Sequence, residues 1–400
     1  MPRKLLYDSN FLLTCVAQFF FVTGNALLVH FARWIAFLGG DERDIGWIMG
    51  LGPVLALLIR PRIGHWIDQF GPKKLWAAGT VIFAATAAAM GVFHHLHWSI
   101  YVLRIIHILG PAIIMTTGYS YVALTTPVER RAEALGSLGL GGFTGLMIGP
   151  TLGDFFLTRL PTPRAGFVTL FLVAGAMGLI SFLIVLFFLR SEKRSGPRRR
   201  PQFIRTVRQY WPGPILIACL ALGVCMAVPF GFLSRFIDVI GVGRLGPFFW
   251  VYAGCGFVVR LVFRRLPDEL GPKPVAALGF FCFAAGLATY PYVDAVWKLA
   301  LPALLSGVGH AFMFNTIATL AMRPFPPDVQ GTGSAMFWIA IDTGFLAGGP
   351  LIGSAAYYLG YGPMFYMVAA LCVAAGVLLI RMPATERNVP PQSPLSETHR

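Results

Sequence analysis

The sequence predicts an all-α integral membrane protein, with twelve transmembrane helices in two pseudo-symmetric six-helix bundles. Three observations predict it. Of 400 residues, 56% are hydrophobic and only 12% are charged, where a soluble domain carries about 25% charged residues; the mean hydropathy is +0.69. Apolar runs follow one another along the chain, each near the ~20 residues that cross a bilayer. The two halves also repeat each other at an offset of 200 residues.

The first run, 10–32, follows the basic start "MPRKLLYDSN". It is long for a signal peptide and has no small-x-small cleavage site at its end, so it is expected to be the first membrane helix. Runs at 45–63, 73–93, 98–123, 133–157 and 165–190 complete an N-terminal bundle, residues 1–190. A basic cytoplasmic linker, 191–212, contains "SEKRSGPRRRPQFIRTVRQ". The second bundle, 213–383, holds runs at 213–236, 246–264, 274–293, 297–322, 331–358 and 362–382. The polar, Pro-rich tail 384–400 has the composition of a disordered segment.

Charge placement orients these runs. The net charge is +15, and its bearers cluster between apolar runs. Lys73, Lys74, Arg130, Arg131, the linker arginines, Arg264, Arg265, Lys273 and Arg323 fall on the side of the N-terminus. Arg33, Arg43, Arg159, Arg164 and Arg244 fall in the opposite loops, where Asp41, Glu42 and Asp44 dilute them. Lys and Arg collect in cytoplasmic loops, so both termini are expected in the cytoplasm. No basic patch interleaves with aromatics, which argues against a nucleic-acid partner. The six cysteines lie inside apolar runs without metal-ligand spacing, and read as reduced small hydrophobes. There is no Walker loop, H-E-x-x-H or G-x-S-x-G, so neither an enzyme nor a bound cofactor or metal is expected.

The repeat is specific. "RPRIGHWIDQFGPKK" (60–74) returns as "RLVFRRLPDELGPKP" (260–274). Arg60 matches Arg260, Asp68 matches Asp268, and Gly71-Pro72-Lys73 matches Gly271-Pro272-Lys273. The register continues through Gly79 and Gly279, Phe83-Ala84-Ala85 and its twin at 283–285, and Pro127 and Pro327. It reaches Gly149-Pro150 with Gly153, matching Gly349-Pro350 with Gly353. Six helices per half make the halves parallel. Parallel repeats of this kind form one transporter architecture, with substrate bound between the halves near the midplane.

"GHWIDQFGPKK" (64–74) resembles the signature G-x-x-x-D-x-x-G-R-[KR] that follows helix 2 in the major facilitator superfamily, with Pro72 in place of the first basic residue. "GFTGLMIGPTLG" (142–153) resembles that family's helix-5 signature, carried by Gly145, Gly149, Pro150 and Gly153, as found in proton-coupled efflux members. A helix-4 signature is partial: Arg104 and His107 keep its spacing, but Ile108 stands where the family has Gly. The resemblance covers nearly the whole chain. It implies export of a small organic molecule in exchange for protons, by a monomer in a bacterial inner membrane, with the proton gradient as energy source. The alternatives are a proton symporter or facilitator for a sugar or metabolite, and a non-transporting sensor or partner subunit.

Candidate residues follow. Asp68, with Gly64, Gly71, Lys73 and Lys74, is expected to latch the halves, by capping a neighbouring helix N-terminus or pairing with a cation across the gap. Asp268 and Gly271 are its second copy. Gly145, Gly149 and Gly153, spaced by four, make a small-residue stripe for close helix contact, expected between the halves, with Gly349, Pro350 and Gly353 as counterparts on helix 11. Arg104 and His107 share a face of helix 4 and are a candidate substrate or proton-coupling pair; the other reading of Arg104 is a side chain snorkelling to the headgroups. Asp342 is the only acidic residue near the middle of a run. It reads either as a protonatable carboxylate or as a structural Asp bonded to a nearby Ser or Thr. Asp154, near the end of its run, reads as an interfacial residue. By the resemblance, helices 1, 4, 7 and 10 line the cavity, which adds Asn25, His30, Tyr119, Ser120, His310 and Asn315 as candidate polar groups.

Overall fold

A helix that crosses lipid satisfies its backbone N–H and C=O groups within itself, and the computed structural model uses helices for every crossing it describes. It describes residues 8–126, 130–191, 203–263, 265–326 and 329–382, and among them no strand occurs. The N-terminal seven residues, Pro127, Pro327, most of the linker and the tail lie outside the described residues.

The first helix, α1 (Ser9–Leu27), starts where the Asp8 carboxylate accepts from the Phe11 N–H at 2.9 Å. A 3₁₀ turn at Leu28–His30 leads into α2 (Phe31–Phe37). A capping box between Asp41 and Asp44 opens α3 (Glu42–Leu51). Gly52 and Pro53 divide it from α4 (Val54–Phe70), since Pro53 cannot donate into the preceding turn. Gly71, at φ +83°, turns the chain into α5 (Pro72–Met90), as Gly271 at φ +88° does in the second half. Then come α6 (Trp98–Thr125), α7 (Arg131–Arg159) and α8 (Pro163–Leu183). A short helix, α9 (Phe203–Gln209), lies in the stretch expected to be linker.

In the second half, α10 (Ile215–Ala227) passes through a wide π turn at Val228–Phe232 into α11 (Leu233–Val239). It continues with α12 (Gly246–Val262), α13 (Leu266–Glu269), α14 (Pro272–Thr289), α15 (Ala300–Met322), α16 (Gln330–Leu359) and α17 (Tyr361–Arg381). Nine stretches among the described residues are long and apolar enough to cross a membrane, and α12 is apolar but shorter. The Ala-rich α5 and Gly-rich α7 are not among the nine.

The sequence repeat is a packing repeat. α1 packs on α7 as α10 packs on α16, and α5 on α6 as α14 on α15. α5 meets α8 as α14 meets α17. A Cβ at Gly79 would sit 3.1 Å from the Gly110 carbonyl oxygen, and one at Gly279 would sit 2.8 Å from that of Gly309, so matched glycines set matched helix spacings. Two seams join the halves: α3 and α4 run against α16, and α7 runs against α12. Large side chains such as Trp34, Trp76, Phe171 and Phe248 fill the interior, while Leu58, Val258, Leu261 and Leu351 are exposed as lipid-facing residues would be.

Candidate functional site: a closed seam with a charged centre

One end of the seam is shut by close backbone contact. A Cβ at Gly46 on α3 would lie 2.5 Å from the Gly349 carbonyl oxygen on α16, and one at Gly50 would lie 2.6 Å from Pro350 Cδ. Gly353 meets the Glu42 backbone in the same way. Arg33, at the end of the first crossing, ties the halves at this end. Its side chain is 5% exposed and pairs with Asp154 of α7 at 3.2 Å and Asp238 of α11 at 2.8 Å. Its remaining N–H groups donate to the Ser234 carbonyl at 3.1 Å and the Gly243 carbonyl at 3.0 Å. Asp154 also accepts from the N–H groups of Leu245 (2.8 Å) and Gly246 (2.6 Å), at the start of α12, where free N–H groups and the helix dipole favour an anion. A second link across the seam joins Arg235 to Glu42 at 3.2 Å.

Deeper in the seam, Arg60 of α4 donates from Nε to Asp342 of α16 at 2.6 Å. The two side chains are 6% and 11% exposed. Trp338, one helical turn from Asp342, lies with its ring centroid 5.2 Å from the Arg60 guanidinium. At low exposure such a pair survives only with close geometry, because neither charge can be left unpaired in a poorly solvated place. Seven residues separate Asp342 from Gly349, about 10 Å along the helix axis, so α16 carries both the charge pair and the tight contact.

The second seam holds the twin of Arg60. Arg260 of α12 places its guanidinium 4.5 Å from the Phe143 ring of α7. Its Nε has no partner, and among the described residues it pairs with no carboxylate. The Tyr252 phenol bonds the His310 ring Nδ1 at 2.7 Å beside it.

The sequence candidates divide sharply on these geometries. Asp342 is joined to Arg60 rather than to a Ser or Thr. Asp154, read as interfacial, is buried because it holds Arg33 and the α12 N-terminus. Arg33, counted as a loop charge, is likewise buried. The stripe of Gly145, Gly149 and Gly153 was expected between the halves. It packs instead on α1 of the same half, against Thr23, Ala26 and His30, because α7 turns that face toward α1 and its Thr151 and Asp154 face toward α12. Gly349, Pro350 and Gly353 do meet the other half. α7 runs as one helix through Pro150.

Arg104 and His107 are both buried but form no pair. Arg104 lies 4.5 Å from the Phe31 ring centroid and 3.4 Å from Met49 Sδ, while His107 bonds Thr86 at 2.9 Å on the α5 side. Arg104 therefore does not snorkel. His30 bonds the Pro150 carbonyl at 3.0 Å, within the α1–α7 contact. Asn25, in the last turn of α1, and Tyr119 and Asn315, within α6 and α15, are exposed, and Ser120 bonds its own helix at Thr116.

Around the reversal after α4, Lys73 donates to the Leu189 carbonyl at 2.6 Å, a contact within the first half. Lys74 and Asp268 are exposed, and a Cβ at Gly64 would meet nothing within 4 Å. The Asp68 side chain lies outside the described residues. Sequence reasoning missed Arg33, Asp238 and Arg60 as seam residues. The signal for Arg60 was its exact twin at 260 within an apolar run; nothing local marked Asp238.

Comparison with known proteins agrees with this architecture. A family model described as Major Facilitator Superfamily matches residues 14–348. The multidrug resistance protein MdtG of Salmonella arizonae is 23% identical over 357 residues, covering 84% of this chain and 82% of the relative; MdtG of Salmonella choleraesuis matches equally. Among solved structures, the nucleoside transporter NupG superposes with a TM-score of 0.77 at 13% identity, covering 93% of this chain and 98% of that one. The human organic anion transporter MFSD10 does so with a TM-score of 0.68 at 13% identity, over 92% and 98%.

Proposed function

The chain belongs to the major facilitator superfamily, and on that premise we propose that it exports a small organic molecule in exchange for protons. Membership makes it a transporter of that superfamily and not an enzyme. The proposal adds twelve crossings in two bundles, 1–190 and 213–383, joined by the linker and rocking about a central site as a monomer in a bacterial inner membrane. With both termini in the cytoplasm, the shut end at Arg33 is the outer one.

The observation that carries the proposal is the buried Arg60–Asp342 pair across the seam. A carboxylate in this position has two stable states: ionised beside Arg60, or protonated when the seam parts and the partner is lost. Proton binding from outside and release inside then accompany the change of access. Export is supported by the helix-5 signature and by the relatives named for multidrug resistance.

Reconstitution in liposomes with an imposed pH gradient tests it. The parent should move a dye uphill, and Asp342→Asn should retain exchange of dye for dye while losing uphill movement. The double variant Arg60→Gln/Asp342→Asn, which leaves no orphan charge, controls for folding. Uphill movement of unchanged rate in both variants removes Asp342 from the coupling. No exchange by the parent under any gradient favours the non-transporting reading.

A further inference from the structure

The two seams share a repeated arginine, and one of them has a carboxylate opposite it. Arg60 and Arg260 occupy the same repeat position, and each has an aromatic ring against its guanidinium, Trp338 for the first and Phe143 for the second. Arg60 has Asp342 opposite it. At the same offset of 200, the residue matching Asp342 is Gly142 of α7. The carboxylate that completes the first seam is therefore absent from the second.

The space where it would stand is open. A Cβ built at Gly142 would meet nothing nearer than Val22 Cγ2 at 4.0 Å. One built at Gly139, a turn earlier, would have Arg260 Nη1 as its nearest neighbour, at 3.8 Å. Glycines that set helix spacing in this protein look different: Gly46, Gly50 and Gly149 have neighbours at 2.5, 2.6 and 2.6 Å from the same ideal position. Gly139 thus leaves room beside a cation, and Gly142, three residues on, leaves open space near Val22 of α1; neither draws two backbones together. Arg260 uses its ring contact but leaves Nε unpartnered. The Phe143 ring supplies an aromatic wall beside it. A cation in a span is costly unless paired or facing water, and a guanidinium matches a carboxylate with two parallel N–H donors.

We infer that the gap between Arg260 and Gly139 is the site for the carboxylate of a transported organic anion, whose apolar body packs on Phe143. The substrate's carboxylate takes the place in the second seam that Asp342 takes in the first. Loading the site completes the pair across α7 and α12. The inference rests on the transport reading for the fate of the bound anion, but the binding step stands alone.

The test uses the full chain in detergent and in liposomes, with benzoate as probe and benzamide as its uncharged match. Benzoate should raise the melting temperature in a concentration-dependent way and benzamide should not. Arg260→Gln should abolish the benzoate shift, and Arg260→Lys should weaken apparent affinity about tenfold, since the paired fork is lost but the charge stays. Gly142→Asp supplies the missing carboxylate from the chain itself. It should raise the basal melting temperature, remove the benzoate shift, and lose its stabilisation when combined with Arg260→Gln. Gly139→Asp repeats the measurement from the adjacent turn if Gly142→Asp folds poorly.

No benzoate shift in the parent, a full shift in Arg260→Gln, or no coupling of either Asp variant to Arg260 would each overturn the anion site. Benzoate binding that follows this pattern, without exchange across the liposome membrane, overturns the transport reading and leaves the site in place. Uphill movement of a cationic dye that ignores Arg260→Gln, with benzoate binding also unaffected, does the reverse.

Discussion

Replacing Asp154 by Asn should loosen the shut end of the seam. The amide keeps an oxygen to accept from the Leu245 and Gly246 N–H groups, so the cap on α12 survives. What goes is the charge facing Arg33 at 3.2 Å. A hydrogen bond to a charged partner contributes about 1.5–3 kcal/mol. Arg33 retains Asp238 at 2.8 Å, although that carboxylate is 35% exposed and screened by solvent, so the lower part of the range applies. A loss of about 1.5–2 kcal/mol shifts the balance between the shut and open forms of this end by about 10- to 30-fold. Ser234 reports it: its carbonyl accepts from Arg33, and the residue is 1% exposed. With Cys15, Cys255 and Cys282, the half-buried native thiols, changed to Ala, a Ser234→Cys probe should react slowly with an impermeant maleimide added outside. Adding Asp154→Asn should raise that rate by the same factor, with the melting curve still cooperative. A rate equal to the parent's would refute the claim that the Arg33 cluster holds this end shut.

Four further substitutions separate packing from charge. Gly46→Ala puts a Cβ 2.5 Å from the Gly349 carbonyl, so α3 and α16 must part; the Ser234→Cys probe should label faster even with Asp154 intact. Gly64→Ala meets open space and should leave both melting temperature and exchange unchanged. Trp338→Leu removes the ring from Arg60 and should cost about 0.5–2 kcal/mol, read as a lower melting temperature that disappears in Arg60→Gln. Gly71→Ala forces a side chain into φ +83° at a cost of about 1–3 kcal/mol, seen as a fall in melting temperature.

Much of the helix layout was legible because lipid imposes apolar length and basic loops on local composition, and because the halves match residue by residue at an offset of 200. The repeat also foretold matched packing, since glycines at matching positions set matching helix distances. The seam was not legible, because a residue's facing depends on rotations that sequence spacing leaves free. Gly149 and Gly349 align in sequence, yet one faces α1 and the other faces α3. Arg33 and Asp238 looked like ordinary charges near span ends, and only the approach of the first crossing to α11 pairs them. Asp342 stood out as an isolated carboxylate, but its partner was 282 residues away and read only as one more element of the repeat.

The two arginines at positions 60 and 260 show how a duplicated fold acquires direction. If both seams carried a carboxylate, both would be held by the protein's own charges and neither would respond to cargo. If neither did, two buried cations would destabilise the closed form by like charge and by desolvation. On the proposed reading, with Asp342 in one half and Gly142 at its repeat position in the other, one seam answers to proton binding and the other is free to answer to an added anion. α16 joins the first of these to the glycine contact at the shut end through about two helical turns. α7 likewise joins the second to Asp154, twelve residues beyond Gly142 on the same unbroken helix. Each charged centre is therefore carried on a helix that reaches the shut end of the seam, and the asymmetry the proposal turns on is Asp342 in one half against Gly142 in the other.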